Sequence, residues 1–127
     1  MRNLSSHTKL YKQAHDILHL SRQIALYLTP DFVALESDGS ENPHVYYTGD
    51  IIKHSNGLYP EILKAENQPF QEDRVKSANA LSKLIQRLTF ACERLEKSSS
   101  NGRDFIILLR KEIKKFRRLQ RNWMTTL

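Results

Sequence analysis

The chain is poor in cysteine, poor in glycine and without a long apolar run, and each scarcity closes off a class of protein. Its single cysteine, Cys92, leaves no intramolecular disulfide and no thiolate metal cluster. The four glycines are scattered: Gly49 and Gly57 stand alone and Gly39 lies in a polar stretch, so no glycine-rich loop is present to cradle phosphates. No apolar segment reaches the ~18 residues of a membrane-spanning helix. The stretch from Leu4 to Leu28 is interrupted by Lys, His, Asp, Arg and Gln at helical spacing, unlike a secretory core. The expectations are therefore a cytoplasmic location and no membrane partner.

Catalytic groupings are equally sparse. "HDILH" puts His15 and His19 one helical turn apart, the minimum for two metal ligands, but it lacks a zincin glutamate and has no matching third ligand. Glu61, Glu66, Glu93 and Glu96 do not make the paired Glu and Glu-x-x-His pattern of a di-iron centre. His54 follows Asp50 by four residues, within reach of an ordinary surface pair. Cys92 falls in an apolar phase beside Ala91 and reads as a small buried hydrophobe rather than a nucleophile. No catalytic residue, metal or cofactor is expected.

What the chain does have is helical periodicity and a lopsided charge. The 39% hydrophobic content over 127 residues suits one domain, residues 1–127. Leu10, Ala14, Ile17, Ser21, Ile24 and Leu28 step by three and four, widened by Leu18 and Ala25, which predicts a first helix over about 6–28. Pro30 is expected to stop it, and a long loop over 29–44 to follow, with one turn around Phe32 to Leu35. A second helical segment, about 45–66, presents Tyr47, Ile51 or Ile52, Ser55, Leu58 or Tyr59, Ile62 and Ala65 on one side. Gly57 and Pro60 interrupt it, so either one kinked helix or two short ones would fit.

A third segment, about 72–97, aligns Val75, Ala78, Leu81, Leu84 or Ile85, Leu88, Ala91 or Cys92 and Leu95, with Lys83, Arg87 and Arg94 on its polar face. After "SSSNG", a fourth runs from about 102 to 124 with Asp104 in an acidic first turn. Four helical segments, most of them amphipathic, predict an all-α, antiparallel up-and-down four-helix bundle.

The net charge of +6 is concentrated at one end. Residues 1–102 hold twelve basic and twelve acidic side chains, whereas residues 103–127 hold eight and two. Along helix four, which holds "LLRKEIKKFRRLQRNW", steps of about 100° put Phe105, Ile106, Leu109, Ile113, Phe116, Leu119 and Trp123 on one half, with Glu112 and Gln120 at its edge. Arg110, Lys111, Lys114, Lys115, Arg117, Arg118 and Arg121 take the other half. That basic half fits three roles: a solvated surface, a partner for an acidic protein, or a nucleic-acid contact. In the last, Arg110, Lys114, Arg117 and Arg121, one per turn, follow phosphates without reading bases. Phe116 and Trp123 share the phase of the core and favour packing over base stacking. Trp123 is also a candidate for a subunit interface, as are the adjacent Tyr46 and Tyr47, of which at most one can point squarely inward.

Three stretches carry a family likeness: "LYKQAHDILHLSRQIALYL" before its proline-containing loop, "EILKAEN", and "LRKEIKKFRRLQRNW". Together they resemble the Avd-like accessory proteins of diversity-generating retroelements and the related four-helix proteins encoded in intervening sequences of ribosomal RNA genes. Tyr11 and Ala14 look like the opening aromatic-x-x-Ala element, Ile62 and Ala65 like the Ile-x-x-Ala pair of the second helix, and Trp123 like the near-terminal tryptophan. The resemblance implies a homo-oligomeric ring, commonly a pentamer. It also implies binding of RNA and of a partner reverse transcriptase, with the basic face of the fourth helix as the contact.

Overall fold

The computed structural model describes residues 4–32, 44–98 and 102–127, with side chains described over 7–28, 47–97 and 102–127. Four helices fill these ranges: α1 (Leu4–Phe32), α2 (His44–Asn67), α3 (Gln71–Ser98) and α4 (Arg103–Met124). Side-chain pairings fix their directions. Ser21 meets Ser55 while His7, fourteen residues earlier in α1, meets Glu66 eleven residues later in α2, so α1 and α2 are antiparallel. Glu96 meets Arg110 and Ser82 meets Gln120, so α3 and α4 run opposite ways too. Gln13 meets Glu112, with Tyr27 on Phe105 at the other end, which places α4 antiparallel to α1. Each helix packs closely along its two neighbours around the square, and across the diagonal the Trp123 indole of α4 reaches Glu66 of α2.

The core is the union of the four apolar stripes. Leu10, Ala14, Ile17, Ile24 and Leu28 of α1 meet Ile51, Leu58, Ile62 and Ala65 of α2. Ala78, Leu81, Ile85, Leu88, Cys92 and Leu95 of α3 close the far side, with Ile106, Leu109, Ile113, Phe116 and Trp123 of α4. Val75, expected inside, is exposed, because it lies in the first turn of α3, at the end of the core. Phe105 is likewise exposed, at the opening turn of α4.

At its proline α1 differs from the sequence expectation, while α2 takes one of the two forms left open for it. Helix α1 continues to Phe32, past Pro30, because a proline so close to a helix end removes only one bond from the ladder. The long loop expected beyond it, with its turn near Leu35, falls mostly on 33–43, outside the described residues. Helix α2 is a single helix with Pro60 in its interior, not two short ones. Pro60 and Asn56 are both exposed, so the carbonyl of Asn56 that loses its donor lies on the wet side, where water can satisfy it. Gly57 has a packing role instead: a Cβ there would stand 3.3 Å from Leu84 Cδ1, so its bareness lets α2 approach α3 closely.

Between α3 and α4 the turn is closed by Gly102, which caps α4 with a left-handed φ of 73° and no side-chain cap. Its carbonyl accepts the Ile106 amide at 3.1 Å.

Polar side chains then set the register of the helix pairs. Buried Ser21 donates to its own helix at Ile17 O (2.7 Å) and pairs with Ser55 Oγ across α1 and α2 at 2.8 Å. Gln13 donates to Glu112 O at 3.0 Å between α1 and α4, and Gln120 to Ser82 Oγ at 2.8 Å between α4 and α3. Arg74 ties the α2–α3 turn to the C-terminus through the carbonyls of Gln68, Pro69 and Leu127. A sliding helix would leave these groups buried without partners, so they penalise every register but one.

Candidate nucleic-acid interface

Helix α4 buries Ile106, Leu109, Ile113, Phe116, Gln120 and Trp123, and that apolar demand fixes where the seven cations from Arg110 to Arg121 stand. Lys111, Lys114, Lys115, Arg118 and Arg121 are exposed, while Arg110 and Arg117 are partly covered. Steps of about 100° per residue turn Arg110, Arg117, Arg121 and Lys114 toward the α3 side, put Lys111 and Arg118 at the crest opposite the buried side chains, and turn Lys115 toward α1. The expected one-per-turn ridge is thus the α3 flank, and its first member is already engaged. Arg110 Nη1 lies 2.6 Å from Glu96 Oε2, a bridge between α3 and α4. Arg117 and Arg121 border a groove of about 290 Å³ with Ser82, Gln86 and Gln120.

The α1 flank is richer in charge than α4 alone suggests. Because α1 and α4 are antiparallel, the early turns of α1 lie beside the late turns of α4. Lys9 and Lys12 thereby face Lys115 and Arg118 across a groove of about 460 Å³, completed by Gln13, Leu119 and Asn122. Four cations and no carboxylate line it, and Asp16, one turn further along α1, is outside the lining. Lys115 reaches Glu112 at 3.7 Å, but no carboxylate among the described residues lies within ion-pair distance of Lys9, Lys12 or Arg118. Such a cluster repels itself and favours a polyanion that supplies several charges at once. Lys9 and Lys12 had been missed because, within α1 by itself, they are ordinary polar-face residues. The signal was the topology, which sets the first turns of helix one beside the last turns of helix four.

The remaining candidates fall into place around this surface. Trp123 is fully buried and its Nε1 donates to Glu66 Oε2 at 3.1 Å. It is a core residue of its own chain and has no ring surface to offer a second subunit, which corrects the interface expectation. Tyr47 is half-buried against the core, and the side chain of Tyr46 is outside the described residues. Gln120, expected at the edge of the apolar side, is buried, whereas Leu119 is only partly covered.

His15 and His19 are both exposed, and no three metal-ligating side chains group together among the described residues. Burial lowers the His54 imidazole below its usual range, opposed by the charge of Asp50 and assisted by Arg87 and Lys53. Cys92 is fully buried, and desolvation pushes its thiol up to about 12, far from the thiolate a nucleophile needs. No helix among the described residues is long and apolar enough to cross a membrane.

Comparison with family models, with curated proteins and with solved structures finds no match to this chain.

Proposed function

We propose that the chain is a non-catalytic nucleic-acid-binding accessory protein that holds RNA by its phosphate backbone along the charged side of α4. The resemblance to Avd-like proteins extends this reading to a homo-oligomer that presents RNA to a reverse transcriptase. The observation that carries the RNA contact is the α1–α4 groove, where Lys9, Lys12, Lys115 and Arg118 converge without a carboxylate in the lining. Phosphates are the ligand that meets several such cations at helical spacing without requiring base readout. A bilayer is a poorer match, because the apolar half of α4 is buried in the bundle and cannot enter lipid.

Filter binding of RNA over a range of salt concentrations tests the proposal. Replacing Lys9, Lys12 and Arg118 together by Gln removes three candidate phosphate contacts. The slope of log affinity against log salt should then flatten by about 2 on a single strand, at ~0.7 per contact. Arg110→Ala, which breaks the pair with Glu96, should leave that slope nearly unchanged. Undetectable binding near 50 mM salt, or an unaltered slope in the triple variant, would refute the reading.

A further inference from the structure

The outward face of α3 carries a feature that the α4 surface does not use. Phe90 is 52% exposed within α3, about two turns before the end of that helix. Of the other exposed rings, Tyr11 packs on Tyr59 with centroids 4.1 Å apart and Tyr27 on Phe105 at 5.3 Å, while Phe70 lies at the end of the bundle, just before α3. Phe90 instead has the Arg94 guanidinium over it, 4.8 Å from the ring centroid.

Its surroundings along the helix are cationic. Steps of about 100° place Lys83, Arg87, Phe90, Arg94 and Lys97 within a sector of about 80°, opposite the buried Leu81, Leu88 and Leu95. The four cations are exposed, and the stripe runs about 21 Å at ~1.5 Å per residue. Its acidic neighbours stand to the sides. Glu93 and Glu96 turn toward α4, where they share a groove with Lys97 at the end of the stripe and Glu96 holds Arg110, and Asp50 of α2 acts on His54, as Arg87 does.

An exposed phenyl ring amid cations has a specific chemical complement. An apolar protein surface or a lipid tail covering Phe90 would also have to strip water from the cations around it. An acidic peptide would satisfy the cations and leave the ring in water. An unpaired nucleotide supplies both halves, a phosphate for the cations and a flat base for the ring, and base–aromatic stacking beside an arginine is how single strands are held without sequence readout. A duplex keeps its bases stacked inside and cannot reach the ring.

We infer that the outward stripe of α3 binds single-stranded nucleic acid, with a base stacked on Phe90 and flanking phosphates on Lys83, Arg87, Arg94 and Lys97. The inference rests on the proposed nucleic-acid function and adds the strandedness of the ligand and a second contact surface.

Fluorescence anisotropy with a labelled oligouridylate and a labelled RNA duplex tests it on wild type, Phe90→Ala, Phe90→Trp and the Lys9/Lys12/Arg118 triple Gln variant. Phe90→Ala should weaken the single strand about tenfold, within the range for loss of one base–aromatic stack, and leave duplex affinity and salt slope unchanged. Phe90→Trp should retain single-strand affinity. Its new indole should be quenched by oligouridylate and not by polyglutamate, a polyanion without bases, while the buried Trp123 contributes a constant background. Wild type that binds oligouridylate as tightly as Phe90→Ala does would overturn the inference and leave the α4 reading standing, provided the triple variant loses salt slope. Equal losses for single strand and duplex, or equal quenching by polyglutamate, would also overturn it. Wild type that binds neither RNA would overturn both.

Discussion

Glu66 and Trp123 offer the most direct test of how the bundle is locked. The carboxylate of Glu66, a residue only 6% exposed, accepts the Trp123 indole N–H at 3.1 Å and meets His7 Nδ1 at 2.6 Å, joining α2 to α4 and α1 in the apolar interior. Trp123→Phe removes the donor and part of a fully buried ring. The lost charge-assisted bond costs about 1.5–3 kcal/mol, and the reduced packing about 1 kcal/mol more. Glu66→Leu strands the indole N–H in the core at about 1–3 kcal/mol, while the half-exposed His7 contact contributes at most about 1 kcal/mol. The double variant has neither a buried donor nor a buried acceptor from this pair. Its cost should fall short of the sum of the singles by about 1.5–3 kcal/mol. Urea unfolding followed by far-ultraviolet circular dichroism measures all four corners, with unchanged m-values as the check that folding remains two-state. Additivity within about 0.5 kcal/mol would mean that the indole–carboxylate bond adds no net stability, and the lock described here would be wrong.

Two further substitutions address single positions. Gly102→Ala forces a side chain into a left-handed backbone, costing about 1–2 kcal/mol, and drives a Cβ to 2.8 Å from Leu28 Cδ2, so the total loss on thermal unfolding should exceed the backbone term alone. A loss below that term would show that the turn before α4 rearranges freely. For His54, burial lowers the folded-state proton affinity against the opposing Asp50, so protons favour the unfolded chain. Its contribution is present above about pH 6.5, the unfolded value, and is lost as pH falls through the lower folded value. His54→Gln should therefore lose less stability than wild type when urea midpoints are compared between about pH 7.5 and about pH 5, and parallel pH profiles would refute this.

Much of the fold was legible because a helix writes its buried face into the chain at fixed steps. The α1 stripe from Leu10 to Leu28 and the α4 stripe from Ile106 to Trp123 are buried as their spacing predicts. The prolines and Gly57 misled because each has a local meaning and a tertiary one. Gly57 looks like a helix weakness in sequence and is a contact surface for Leu84 in the bundle, and Pro60 is tolerated where its unpaired carbonyl lies on the solvent side. Val75 and Phe105 carry the right phase but sit in the first turns of their helices, where burial depends on how far the neighbouring helices extend.

The candidate interface divides in the same way. By itself the sequence determined that the chain is helical, that its excess positive charge lies in residues 103–127, and which half of α4 is apolar. Those follow from residue type and a local period, which neighbouring helices do not alter. Only the tertiary structure decided which cations remain available. It engaged Arg110 with Glu96, brought Lys9 and Lys12 beside Arg118 and buried Trp123 against Glu66. These depend on which helices adjoin and in which direction they run, information shared between residues on different helices that no local period encodes.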